Sequence, residues 1–209
     1  MFLILIKFFR MCTHVIYNNN ILAHSKCGTK YLDELFNIPW EKSGEHNIKS
    51  PSELLDVDFN IKYIIIRNPK EHFLSALDTL INNEIYVKSI HKVHDDYVSN
   101  SMNILYNDLD HHWCPNYYKY IYMLCNNKKI TLVHLNDLSN FVEIELKISK
   151  IEYTNIHGGR KESFEELENK CKKANLKLWN VIDKTLEDEM YFYNKLLNEN
   201  EIFKSKKII

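Results

Sequence analysis

The residues best suited to chemistry fall in two short stretches. The first is Ile21-Leu22-Ala23-His24-Ser25-Lys26-Cys27-Gly28-Thr29-Lys30-Tyr31-Leu32, and the second is Tyr63-Ile64-Ile65-Ile66-Arg67-Asn68-Pro69-Lys70-Glu71-His72-Phe73-Leu74-Ser75-Ala76-Leu77. Each reads as an apolar run, then a turn carrying a cation, then a helical pattern. That order is how an α/β chain builds an anion site at the carboxyl end of a parallel strand. Gly28 allows backbone N–H groups to converge on an anion, and a helix starting near Thr29 aims its dipole at the same point. Lys26 adds a full charge, and the Thr29 hydroxyl is a further donor. Arg67 offers a forked donor for phosphate oxygens. Ser75 follows on the next helix, about 9 Å along its axis from Pro69, as a second donor. Two such sites suit a ligand with phosphates at both ends. The order Lys, Gly, Thr is not the GxxxxGK[ST] of an ATP- or GTP-cleaving loop.

The elements that must position these turns are legible in outline. Residues 21–25 and Ile61–Ile66 read as buried strands, and Ile130–Leu135 as a third. Helices are expected from Thr29 to Phe36, from Pro69 to about Asn83, and over Tyr117–Cys125. Another is expected from Ser163, whose Ser163-x-x-Glu166 spacing is a capping box, to Ala174, and a last one over about Leu186–Asn198. Residues 39–60 read as a polar connection, 84–115 as mixed, and 136–162 as loop-like with one strand. Strands alternating with helices predict a mainly parallel sheet in a layered α/β fold.

The chain has 209 residues, enough for a sizeable core, and is read as one domain over 1–209. Its net charge of −1 argues against general nucleic-acid binding, so any anion site must be local. Only four glycines are present, and Gly28, Gly158 and Gly159 fall in basic turn segments. The apolar start, Met1 to Arg10, is interrupted by Lys7 and Arg10 and is too short to span a bilayer; it reads as an N-terminal strand. The five cysteines are widely spaced, with no CxxC, so reduced thiols are expected, with neither a zinc site nor a disulfide framework.

Together the two stretches resemble the sulfotransferases that use 3′-phosphoadenosine-5′-phosphosulfate (PAPS). His24-Ser25-Lys26-Cys27-Gly28-Thr29 is similar to the family's 5′-phosphosulfate loop, often written PKxGT, with Ser25 in place of proline. The run from Arg67 to Ser75 is similar to its 3′-phosphate motif, RdPxxRxxSxx, with His72 in place of a frequent arginine. Weaker echoes extend the resemblance to about residue 197. Asp110-His111-His112-Trp113-Cys114-Pro115-Asn116 resembles the HWxPQ segment of Golgi-type carbohydrate sulfotransferases. Leu132 to Leu138 resembles a strand ending in a (Y/F)EDL-like turn, and Gly158-Gly159-Arg160-Lys161 a late basic loop over the cofactor.

The resemblance implies a P-loop-NTPase-like three-layer sandwich and transfer of the sulfuryl group from PAPS to a hydroxyl, most readily on a carbohydrate, releasing PAP without a metal. It implies Ser25, Lys26, Cys27, Gly28, Thr29 and Lys30 at the 5′-phosphosulfate, and Arg67 and Ser75 at the 3′-phosphate. Arg160 and Lys161 would screen phosphate charge. Lys26 would lie near the bridging oxygen as a catalytic cation. The general base is sought between the two motifs, among Glu41, Glu45, His46 and Glu53, with His46 or Glu45 favoured because Gly44 can turn the chain toward the site. His112 and Trp113 are candidates for lining the acceptor cleft, with core packing as the alternative for Trp113. Rival readings are a P-loop nucleotide or small-molecule kinase, and a sulfotransferase-like module that binds nucleotide or glycan without turnover. With no convincing anchor and no paired cysteines, a soluble, cytoplasmic location is expected, with the Golgi lumen as the alternative.

Overall fold

A computed structural model describes residues 14–17, 20–38, 60–82, 97–107, 112–126, 129–149 and 163–204. Five strands form one sheet: β1 (His14–Tyr17), β2 (Ile21–His24), β3 (Tyr63–Ile66), β4 (Thr131–His134) and β5 (Glu201–Ile202). Their order across the sheet is the chain order, β1-β2-β3-β4-β5. β1 runs antiparallel to β2, and every later pairing is parallel, with Ile21 opposite Tyr63 and Ile66 opposite His134. The described helices are α1 (Thr29–Leu35), α2 (Pro69–Asn82), α3 (Tyr97–Tyr106), α4 (Tyr117–Cys125), α5 (Leu138–Ile144) and α6 (Phe164–Glu199).

The central strands are apolar on both faces because both faces are covered. Leu22, Ile64, Ile66 and Leu132 pack on Ile121 and Leu124 of α4 and on Tyr193 and Leu196 near the end of α6. Ile21, Ala23, Ile65 and Val133 face the other way, onto Leu32 and Leu35 of α1 and Phe141 and Val142 of α5. A third core lies mainly among helices, away from the sheet: Phe73 and Leu77 of α2, Met102 and Leu105 of α3, and Trp179 and Ile182 of α6. The chain is therefore α/β, a mostly parallel sheet flanked by helices, with a helical annex on its α2–α3 side.

Several boundaries differ from expectation. Part of the segment read as loop, 136–162, instead holds a 3₁₀ turn (Leu135–Asp137) and α5, because Leu138, Phe141 and Val142 supply a helical apolar stripe. The first late helix ends after Ala174 as expected, at Asn175 (φ −158°, ψ 87°), but the second starts at once rather than near Leu186, so the two abut end to end within the span labelled α6. There Asn175 Oδ1 accepts from the Leu178 N–H at 3.1 Å, so one helix ends and the next is capped by the same residue. The capping box forms: Ser163 Oγ accepts from the Glu166 N–H at 3.2 Å, and the Ser163 N–H donates to Glu166 Oε2 at 2.7 Å. Cys114 is in a disulfide, against the expectation of reduced thiols throughout, while Cys27, Cys125 and Cys171 are free and buried. The cysteine argument for a reducing compartment is thereby removed. The strand expected over residues 1–10 and the connection at 39–59 lie outside the described residues.

Candidate anion site at the ends of β2 and β3

Both sequence stretches end at the same edge of the sheet. β2 leads into α1 on one face, whereas β3 leads through α2 to α4 on the opposite face. Both turns follow the carboxyl ends of neighbouring parallel strands, the end of an open α/β sheet at which ligands bind. Between the two turns Arg67 Nη1 donates to the Lys26 carbonyl at 3.1 Å. The two motifs, separate in sequence, are thus one structural unit.

The β2–α1 turn is held by its backbone. The Cys27 N–H closes it onto the His24 carbonyl at 2.9 Å, so this amide is already used and does not point at a ligand. Lys26 (φ 63°) and Gly28 (φ 85°) both sit in the left-handed region. The left-handed backbone at Gly28 favours glycine, and a Cβ there would lie 2.5 Å from Leu138 Cδ2 and 3.0 Å from Leu135 Cδ1, so the Leu138 side chain would have to shift to admit one. Ser25, Lys26, Thr29 and Lys30 are half-buried around the turn. Burial lowers the Lys30 pKa, partly offset by Glu34. The Thr29 carbonyl accepts from the Tyr17 hydroxyl at 3.1 Å, which ties the start of α1 to β1. Cys27 is fully buried, and burial pushes its thiol up to about 12, with Arg67 opposing. Its side chain belongs to the core, and the thiol is protonated.

Beneath the turn lies an imidazole pair. His24 Nδ1 and His72 Nε2 are 3.1 Å apart, and both approach the Ser25 carbonyl, at 2.9 and 2.8 Å. That oxygen only accepts, so at least one of the two nitrogens carries a proton there. Both rings are fully buried. Burial first, then His24 and Arg67, hold His72 well below the usual histidine range, against the carbonyls of Ser25 and His112. A neutral His72 brings no charge to the site; it fixes the turn from below.

The β3–α2 turn is held by side chains. The Asn68 carboxamide oxygen accepts from the N–H groups of Lys70 (3.0 Å) and Glu71 (3.3 Å), capping α2, with Pro69 at the first helical position. The Arg67 guanidinium also faces the Phe164 ring at 5.5 Å and has Glu71 Oε2 3.7 Å from Nε. Ser75 is half-buried on α2, one turn beyond Glu71, and its carbonyl accepts from Thr79 Oγ1. Next along the edge, Tyr193 Oη and His134 Nδ1, at the end of β4, are 3.3 Å apart. Burial, and then Glu71 and Cys27, push the Tyr193 phenol up to about 12.

The other expected residues fare differently. Trp113 is 1% exposed and edge-on to Phe73 at 5.0 Å, so its ring belongs to the annex core rather than to an open cleft. His112 is half-buried beside it. His46, Glu45, Arg160 and Lys161 lie outside the described residues, as do the alternatives Glu41 and Glu53. The sequence reading missed Glu71, Tyr118, His134 and Tyr193 as members of this edge. The i,i+4 spacing of Arg67 and Glu71 was the one available signal. Tyr118 and Tyr193 come from distant helices and left none.

Among the described residues, no cluster of three or more His, Cys, Asp or Glu could hold a metal, and no helix is long and apolar enough to cross a membrane. Comparisons with protein-family models, curated proteins and solved structures found no match for this chain.

Proposed function

We propose that this edge binds a nucleotide carrying phosphates at both its 5′ and 3′ positions, and that the chain is a PAPS-dependent sulfotransferase acting on a hydroxyl, with carbohydrate as the favoured acceptor class. The observation that carries the reading is the Arg67–Lys26 hydrogen bond. It joins a Lys-x-Gly-Thr turn and an Arg…Ser helix at the ends of adjacent parallel strands, in the order and spacing of the family's two phosphate motifs. A P-loop-like three-layer architecture belongs to the same proposal; the mostly parallel sheet flanked by helices supports the broader class.

In this reading Lys26 faces the bridging oxygen and stabilises the charge that develops as the S–O bond to PAP breaks. The acceptor oxygen attacks sulfur in line with that bond, and its proton passes to a general base. His46 or Glu45 is proposed for that role, with Arg160 and Lys161 on the late loop. Ser75 and the Arg67 fork hold the 3′-phosphate once Glu71, about half-exposed, turns toward solvent.

A second reading, binding without turnover, is favoured by the burial of Trp113, which takes one candidate out of the acceptor cleft. The two are separated by thermal-shift titration with PAP, ADP and ATP, with and without magnesium, followed by a sulfate-transfer screen. Saturating PAP at a hundred times its Kd stabilises the fold by about 2.7 kcal/mol, and Lys26→Ala abolishes the effect. Magnesium-dependent stabilisation by ATP alone would instead return the kinase reading. PAP binding with no transfer to any acceptor would select the non-catalytic module.

A further inference from the structure

β3 has an accounting problem at its end. Its last pairing with β4 is Ile66 opposite His134. One residue further on, Arg67 has a backbone N–H and C=O beyond the ladder, and Pro69 has no N–H to help close the turn. Both Arg67 groups are met by a single atom. The Arg67 N–H donates to Tyr118 Oη at 3.1 Å, and the same hydroxyl donates to the Arg67 carbonyl. A phenol can do this because its oxygen is both donor and acceptor.

Tyr118 is itself fixed. It is fully buried at the second position of α4, edge-on to Tyr117 at 4.8 Å and to Tyr193 at 5.2 Å. Helix α4 starts from Asn116 in a left-handed conformation with no side-chain cap of its own. The Tyr117 N–H is met by the Cys114 carbonyl at 3.3 Å, and the Tyr118 N–H is met from α6: it donates to Glu189 Oε2 at 2.8 Å, and Glu189 is 3% exposed. A continuous line of hydrogen bonds therefore runs from α6 through Glu189, Tyr118 and Arg67 to the carbonyl of Lys26.

We infer that Tyr118, seated by Glu189, is the positioning residue for Arg67: it fixes the backbone from which the guanidinium reaches the nucleotide's 3′-phosphate. The inference rests on the proposed nucleotide site. The phenol touches no ligand; removing its hydroxyl frees the Arg67 peptide groups, and the guanidinium loses its aim while Lys26 keeps its place.

The test compares PAP with AMP, which lacks the 3′-phosphate, by calorimetric titration of the full chain. The wild type prefers PAP. Tyr118→Phe is expected to lose tenfold or more of PAP affinity while AMP affinity stays within twofold, a selective loss that general loosening of the fold would not produce. Glu189→Ala, acting from behind, is expected to lower the PAP preference about threefold, and Glu189→Gln, which keeps an acceptor oxygen, to restore it. This second pair decides the matter if Tyr118→Phe does not fold. An unchanged PAP preference in Tyr118→Phe, or equal behaviour of the two Glu189 variants, overturns the positioning role and leaves the nucleotide site standing. A wild type that binds neither nucleotide, or both alike, overturns the nucleotide proposal itself.

Discussion

The two turns at the candidate site reach similar ends by opposite means. The β2–α1 turn relies on backbone shape, with two residues at positive φ and a glycine pressed under Leu135 and Leu138. The β3–α2 turn has no residue at positive φ and is pinned by side chains: the Asn68 cap, the Tyr118 hydroxyl and the Arg67 fork. The first should be vulnerable to bulk, the second to loss of polar atoms.

The most severe way to test this contrast is Gly28→Ala. The left-handed backbone costs a Cβ-bearing residue about 1–2 kcal/mol, and the clash with Leu138 adds about 1–3 kcal/mol. Urea denaturation should show a loss of about 2–5 kcal/mol. Adding Leu138→Ala should recover the steric part only, as a double-mutant cycle would reveal. Additive losses would mean that packing above Gly28 is not what the turn depends on.

The next effect acts on the second turn through Glu189. Burial pushes its carboxyl up to about 7 from an ordinary 4.5, against the amides of Tyr118 and Asn116. Between those values the folded chain keeps a proton that the unfolded chain has released. The stability this contributes is complete below about 4.5 and is lost as pH rises through 7. Its span is about 3 kcal/mol. His72 works in the opposite sense, since its depressed pKa gives stability above the unfolded value that is lost on acidification. The difference between wild type and Glu189→Gln isolates the carboxyl. That variant should gain on the wild type between pH 5 and 8, and parallel curves would refute the account.

A smaller change is expected at the cap. Asn68→Ala should cost about 1 kcal/mol in urea midpoint measurements, because two α2 amides lose their acceptor. The smallest is at Lys26. Asparagine tolerates the left-handed region better than lysine, so Lys26→Asn should leave stability within about 0.5 kcal/mol of wild type while removing the response to PAP. A large destabilisation would show that the lysine is structural, and would remove the reason for storing strain beneath a cation.

Local signals made the frame of the site legible. Tyr63–Ile66 is an unbroken β-branched run closed by Arg67-Asn68-Pro69, and Pro69 starts α2 as its missing N–H predicts. The capping box marked the start of α6. What escaped was set by partners far along the chain. Residues 97–106 carry no strong start signal, and α3 exists because Met102, Ile104 and Leu105 meet α2 and α6. The break read after Ala174 has a physical origin in Asn175, but that residue caps a new helix at once instead of opening a loop. Likewise the tyrosine cluster read as core and rim conceals one phenol, Tyr118, that serves a backbone 51 residues away.

The run of α6 through two cores bears on how the molecule opens. Trp179, Ile182 and Leu186 belong to the helical annex, whereas Tyr193 and Leu196, on the same uninterrupted segment, belong to the sheet. The annex cannot melt past Asn175 without pulling on the wall that covers β3 and β4. Amide hydrogen exchange should therefore divide α6 at that residue. The segment before Asn175 frays as a low-energy unit, and the segment after it exchanges only with global unfolding.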